Sequence, residues 1–206
     1  MRKKMLLFVC VCIRFLSQSQ TFTQGDVAVN VGTGLAIYST YVYEKGKTNY
    51  QYDTAGAYIF PIKVEYGLLN WLGATFRFNY SNYIEGDSTN TQDINGVDFG
   101  LQANFHFIRT QRWDLYAGGI ASWTRLHYKE NTLQNSEVKG NGTVFGMELA
   151  SRFYFGETRK FGMYLSYCYV GNYYRDLLGK DSFGNSTHFY LSAIGHQIGV
   201  GLTIKL

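Results

Sequence analysis

The sequence predicts an all-β protein: eight antiparallel strands closing in up-and-down order into a barrel that crosses a membrane. Three observations carry this expectation. Large apolar residues alternate with small or polar ones along eight runs, the connections between runs alternate between long and short, and one face of the runs is aromatic and almost uncharged. At 206 residues, with 46% hydrophobic content and a single proline, the chain suits one domain and is too apolar for disorder. It contains no run of about 18 uncharged apolar residues, so any crossing must use strands rather than a helix.

The first segment reads as an export label. Arg2, Lys3 and Lys4 precede an apolar run from Met5 to Ile13, and Ser17 and Ser19 offer small residues before a cleavage point at Gln20. Residues 1–19 are therefore expected to be a signal peptide, leaving Gln20 to Leu206 as one barrel domain. Cys10 and Cys12 leave with the label. They are preceded by Val9 and Val11 rather than by the small residues lipoprotein processing needs. Cys168 alone is left, so no intramolecular disulfide can form. Arg2, Lys3, Lys4 and Arg14 also account for the whole net charge of +4. Without them the chain carries 15 basic and 15 acidic residues, which removes the electrostatic basis for nucleic-acid binding.

The runs follow in order. The first covers roughly residues 26–39. In the second, Tyr58, Phe60, Ile62, Val64, Tyr66 and Leu68 oppose Pro61, Lys63, Glu65 and Gly67. In the third, Ala74, Phe76, Phe78 and Tyr80 oppose Thr75, Arg77, Asn79 and Ser81. The fourth sets Val97, Phe99, Leu101, Ala103, Phe105 and Phe107 against Asp98, Gly100, Gln102, Asn104 and His106. A looser fifth run spans 113–128. The sixth sets Phe145, Met147, Leu149, Phe153 and Phe155 against Gly146, Glu148, Ala150 and Arg152. Looser runs over 161–174 and 188–206 complete the eight. Pro61 donates no ladder hydrogen bond, so a bulge is expected there.

Long connections are expected at Tyr41–Gly56, Glu85–Gly96, Glu130–Gly142 and Arg175–Thr187. Short ones fall at Asn70–Trp71, Arg109–Arg112 and Glu157–Lys160. A meander puts every long loop at one end, as in outer-membrane barrels. A soluble barrel would turn a Lys- and Glu-rich face to water. Here the polar face is mostly small, with only Lys63, Glu65, Arg77, Asp98, Glu148 and Arg152 charged, three acids and three bases. That composition suits the confined lumen of an eight-stranded barrel. Glu65 and Arg77 are expected to be neighbours across the Asn70–Trp71 turn, with Lys63 close by. Glu148 and Arg152 are expected to pair across strands, and removal of Arg77 to destabilise the barrel. Cys168 shares the lumen parity as a small filler. Aromatic girdles are expected from Trp71, Trp113, Phe155 and Phe161 at the short turns. Tyr80, Tyr83, Trp123, Tyr128, Tyr173 and Tyr174 sit near the long loops.

At this point the chain resembles the small outer-membrane β-barrel family of the OmpX/OmpA kind, and more closely the porin-like barrel domains of Bacteroidota. The residues that carry the likeness are Gln20-Thr21-Phe22-Thr23-Gln24-Gly25-Asp26 and Val29-Asn30-Val31-Gly32-Thr33-Gly34-Leu35. To these are added Val64-Glu65-Tyr66-Gly67, Leu115-Tyr116-Ala117-Gly118-Gly119 and the closing Gly199-Val200-Gly201-Leu202-Thr203-Ile204-Lys205-Leu206. The resemblance implies a Gram-negative outer-membrane location among lipid and lipopolysaccharide, and insertion by the barrel-assembly machinery. Its terminal signal would be carried by Gly201, Ile204 and Leu206, with Leu in place of the usual aromatic end.

For function, the expected reading is a monomeric, non-enzymatic barrel, structural or binding through its exposed loops. Tyr41, Tyr43, Tyr50 and Tyr52 are the contact candidates, because tyrosine offers area at low entropic cost. A lipid-acting enzyme would need a nucleophile beside an oriented base. His188 with Ser192, or His127 with Glu130, are the nearest approaches, but four residues along a strand separate the first pair by roughly 13 Å. A solute pore conflicts with a lumen of about eight strands, which side chains fill. A soluble periplasmic barrel with a ligand calyx is the remaining alternative. The stretch Asp87–Asp93 lacks the spacing and central glycine of a calcium loop, and no cofactor motif is present.

Overall fold

The computed structural model describes residues 21–46, 51–84, 92–130, 137–180 and 186–206. Residues 1–19, expected to be a signal peptide, together with Tyr50 and most of the Asp87–Asp93 stretch, lie outside these residues. The elements are β1 (Val27–Glu44), β2 (Gln51–Leu69), β3 (Leu72–Ile84), β4 (Gln92–Arg109), β5 (Trp113–Glu130), β6 (Glu137–Phe155), β7 (Phe161–Lys180) and β8 (Ser186–Lys205). Each strand pairs antiparallel with the next, and β8 pairs back to β1, so the sheet closes in sequence order.

The register sets the barrel's dimensions. A row of partners starting at Tyr41 passes through Ser192, Tyr173, Thr143, Trp123, Phe99, Phe78 and Ile62 and returns to β1 at Val31, ten residues lower. That stagger tilts eight strands by about 40°. Seven of the strands have 18–20 residues and β3 has 13; the seven make a wall about 45 Å tall, against an apolar band of about 25 Å. The wall therefore stands well above the membrane on the side of the four longer connections. This is why strands run beyond their expected ends: β1 reaches Glu44 and β2 starts at Gln51, both inside the stretch expected as loop. Above the lipid both faces are wet, and the alternation that marks a strand in sequence fades.

Pro61 produces no bulge. Val31 pairs with Ile62 and Gly34 with Ile59 in the same register, so the ladder skips the positions around Pro61 without slipping. The register shifts lie elsewhere: between Gly67 and Leu69, His106 and Ile108, Lys139 and Gly142, and Tyr174 and Leu177. Outside, Leu35, Ile37, Phe76, Leu101, Met147, Leu165 and Leu202 are each more than half exposed, a continuous apolar belt that only lipid can cover. Leu101, 66% exposed, lies near mid-belt. Leu101→Arg should therefore cost about 2–4 kcal/mol in urea unfolding from lipid vesicles. A loss below about 1 kcal/mol would mean that this face does not meet hydrocarbon.

Candidate functional site: a sealed lumen beneath an outward cup

The short-turn end is closed by residues 21–26, the segment that precedes β1. Gly25, at φ +88°, turns the segment back, and Thr23 N–H donates to Asp26 Oδ2 at 2.8 Å. Gly25 N–H donates to Gly67 O at 2.9 Å, and Thr21 N–H to Thr110 O at 3.1 Å. Lys205 Nζ donates to Thr21 O at 3.1 Å. Held this way, Phe22 is fully buried in the barrel mouth, stacked on His106 at 4.0 Å between ring centroids.

Above Phe22 lies a four-charge cluster. Arg152 forms ion pairs with Glu65 and, at 3.1 Å, with Asp114. His106 contacts Asp114 through Nδ1 at 2.7 Å and Glu65 through Nε2 at 2.9 Å. Each ring nitrogen faces a carboxylate oxygen, the arrangement in which an imidazolium donates to both. Two cations then balance two anions. Asn104 Nδ2 donates to Glu65 at 2.7 Å, and Gln102 Nε2 to Glu148 Oε2 at 2.6 Å. Lys63 pairs with Glu148, and Arg77 Nε stands 3.7 Å from Asp98, which also accepts from Asn79 at 3.0 Å. Gly73 and Gly118 make the room. A Cβ at the first would overlap the Glu65 carboxylate, and at the second the Asn104 side chain.

All six charged residues expected in the lumen are buried there. The pairing differs from expectation in one respect. Arg77 lies opposite Lys63, not Glu65, and the Glu65 carboxylate reaches across the lumen to β4 and β6. In a closed barrel the far wall is as near as the neighbouring strand. Glu148 and Arg152 each pair with other strands, as expected. Sequence reasoning missed Asp114 and the role of His106. Asp114 could have been found by continuing the inward set Tyr116, Gly118, Ile120 and Ser122 one step back.

Higher still, Tyr38, Ile59, Val144 and Val170 form an apolar layer, with Cys168 buried beside it and Tyr83 packed against it. Gln197 Nε2 donates to Tyr38 Oη at 2.7 Å. This layer is the floor of a cavity of about 700 Å³ at the end bearing the longer connections. Its wall includes Val42, Ile94, Leu126, Val138, Leu177, Phe189 and Leu191. Tyr128, expected in the upper girdle, lines this cup instead, and so do Tyr83 and Tyr174. The cause is strand parity: Tyr128 shares a face with buried Leu126 and Thr124. Trp71, Trp113, Phe155 and Phe161 are all 44–62% exposed beside the short turns, while Trp123 and Tyr173 face outward on the upper wall. Tyr80 bonds Asn95 on the same outer surface.

The other candidates resolve as follows. His127 contacts Glu137 at 3.0 Å, and the side chain of Glu130, its expected partner, lies outside the described residues; Lys139 and His127 hold the Glu137 carboxyl below the usual carboxylate range. His188 Nδ1 meets Asp176 at 2.6 Å, with Ser192 four residues along the strand. Gly201 packs against Tyr164, while Ile204 and Leu206 face outward beside the closing β1–β8 seam. Among the described residues no cluster of three metal-ligating side chains is assembled.

No protein-family model matches the sequence, and no curated protein matches it. Solved structures do match in fold. The outer membrane protein OprG from Pseudomonas aeruginosa is similar at 11% identity and a TM-score of 0.66, over 91% of this chain and 99% of that one. The outer membrane protein AlkL, determined in DMPC bilayers, gives 11% identity and 0.56, over 92% and 94%. Neisserial surface protein A gives 13% identity and 0.54, over 89% and 100%. The fold and the exposed apolar belt thus define a small integral outer-membrane β-barrel. Within that class it is an eight-stranded meander with a stagger of ten, an ion-paired lumen and an open outer cup.

Proposed function

We propose that the protein is a non-catalytic, monomeric binding barrel that holds a small apolar molecule in its outward-facing cup. The observation that supports this reading is the cup itself. About 700 Å³, walled largely by aliphatic and aromatic side chains and sealed beneath by the lumen network, is the size and lining of a small-molecule site. A filled lumen is a poor conduit, so the cup works as a receptacle rather than the mouth of an aqueous pore. The insertion signal at Gly201, Ile204 and Leu206 belongs to the same proposal. Catalysis has less support: the His188–Asp176 pair supplies a base and its orienter, but Ser192 stands roughly 13 Å from His188.

The test is saturable binding of the apolar fluorophore N-phenylnaphthylamine to the barrel in lipid nanodiscs, measured against protein-free discs. Wild type should bind at one site. Leu126→Glu and Val42→Glu, which put a charge into the wall, should weaken binding at least tenfold while keeping the boiling-dependent gel shift of a closed barrel. Unchanged binding in both variants would remove the cup as the site.

A further inference from the structure

A second concavity lies on the outside of the same wall. Tyr41 and Tyr43 of β1, Tyr52 of β2, Tyr173 of β7 and Tyr190 of β8 border a groove of about 610 Å³. The rings are already arranged: Tyr43 and Tyr190 stack at 4.6 Å with planes 12° apart, and Tyr41 meets Tyr52 edge-on at 4.8 Å. Arg175 adds a cation, and the hydroxyls of Thr143 and Ser192 add polar contacts. Phe145 forms part of the lining and is itself 57% exposed on the lipid-facing belt, so the groove opens downward onto lipid.

An ordinary girdle does not account for this cluster. Allowing for the stagger, Tyr41 is level with Tyr128 on the opposite wall, about fifteen residues above Trp113 and about 35 Å above the lower aromatic ring. The hydrocarbon band accounts for only about 25 Å of that height. The tyrosines therefore stand at headgroup level. They are also confined to one side: near the same height, β3, β5 and β6 present Asn82, Arg125, His127, Lys139 and Asn141 outward. A girdle set by the membrane alone would run around the whole barrel.

We propose that this outer-wall groove binds the phosphorylated sugar headgroup of an outer-leaflet glycolipid. Flat tyrosine rings cover the sugar faces and their hydroxyls, with Thr143 and Ser192, bond the sugar edges. Arg175 takes the phosphate through its planar fork of donors, and the acyl chains descend past Phe145 into the leaflet. Occupancy from the lipid side follows from the groove's height and from its continuity with the belt. The site is separate from the cup and its test does not depend on the cup's ligand.

The experiment is native mass spectrometry of the intact barrel in maltoside detergent, titrated with bis-phosphorylated hexa-acyl lipid A and, separately, with phosphatidylglycerol. Wild type should bind one lipid A at least tenfold more tightly than phosphatidylglycerol. The double variant Tyr41→Ala/Tyr52→Ala alters exposed rings only; it should lose that preference while retaining the heat-dependent gel shift. Arg175→Gln should bind bis-phosphorylated and dephosphorylated lipid A equally. Equal affinity of wild type for the two lipids would reduce the groove to a general acyl-chain surface and overturn the proposal. So would wild-type preference in both variants.

Discussion

Arg152→Ala will destabilise the barrel by about 3–5 kcal/mol, the range for removing one partner of a buried ionic cluster. The guanidinium is fully buried, and it is the contact shared by Glu65 and Asp114. It also lies over the Tyr116 ring at 4.6 Å, so its loss removes packing as well as charge. Without it, two carboxylates share the single positive charge of His106 in a lumen that water does not readily enter. Arg77→Ala, expected from sequence to destabilise the barrel, should act through Asp98 and cost less. Its ion pair is long at 3.7 Å, and Asp98 keeps its hydrogen bond from Asn79. Urea unfolding of both variants from lipid vesicles measures the order. If Arg152→Ala unfolds within about 1 kcal/mol of wild type, or Arg77→Ala is the worse of the two, the four-charge cluster is not the keystone of the lumen. Adding Glu65→Gln to Arg152→Ala should recover part of the loss, since it removes one of the stranded anions.

The second large effect is expected at the stopper. Phe22→Ala deletes a fully buried ring stacked on His106, a change that costs about 3–5 kcal/mol in a packed interior. Phe22 sits on a segment outside the strand ladder, so much of this loss should appear as local release rather than global unfolding. Thiol labelling separates the two. In a Cys168→Ser background, a Thr21→Cys probe is buried while the stopper is seated, because Thr21 is 2% exposed. Phe22→Ala should raise its labelling rate at least tenfold with little change in urea midpoint. Equal rates would show that the backbone bonds of Thr21 and Gly25, rather than the ring, hold the segment in place.

Much of the architecture is legible in the chain because its causes are local. Alternation of Phe99, Leu101, Ala103 and Phe105 with Asp98, Gly100, Gln102 and Asn104 assigns a strand and its two faces from adjacent residues alone. Eight such runs with alternating connections leave an up-and-down barrel as the arrangement without edges in lipid. Parity also decided that Lys63, Glu65, Arg77, Asp98, Glu148 and Arg152 lie inside. The same parity turns Tyr128 inward with Leu126 and Thr124, whatever its nearness to a loop.

Pairing within the lumen, by contrast, depended on closure. Lys63 finds Glu148 85 residues away, and Arg152 finds Glu65 87 residues away. No spacing along the chain encodes those distances. They follow from the stagger of ten residues, which sets which inward positions share a level, and from a bore narrow enough for side chains to meet across it. Strand length, 18–20 residues in seven of the eight strands, lifts the upper wall clear of the membrane in spite of the tilt that stagger imposes. It thereby creates an inner cup and an outer tyrosine groove, in part from residues such as Tyr41, Val42, Tyr43 and Tyr52 that looked, in one dimension, like loop.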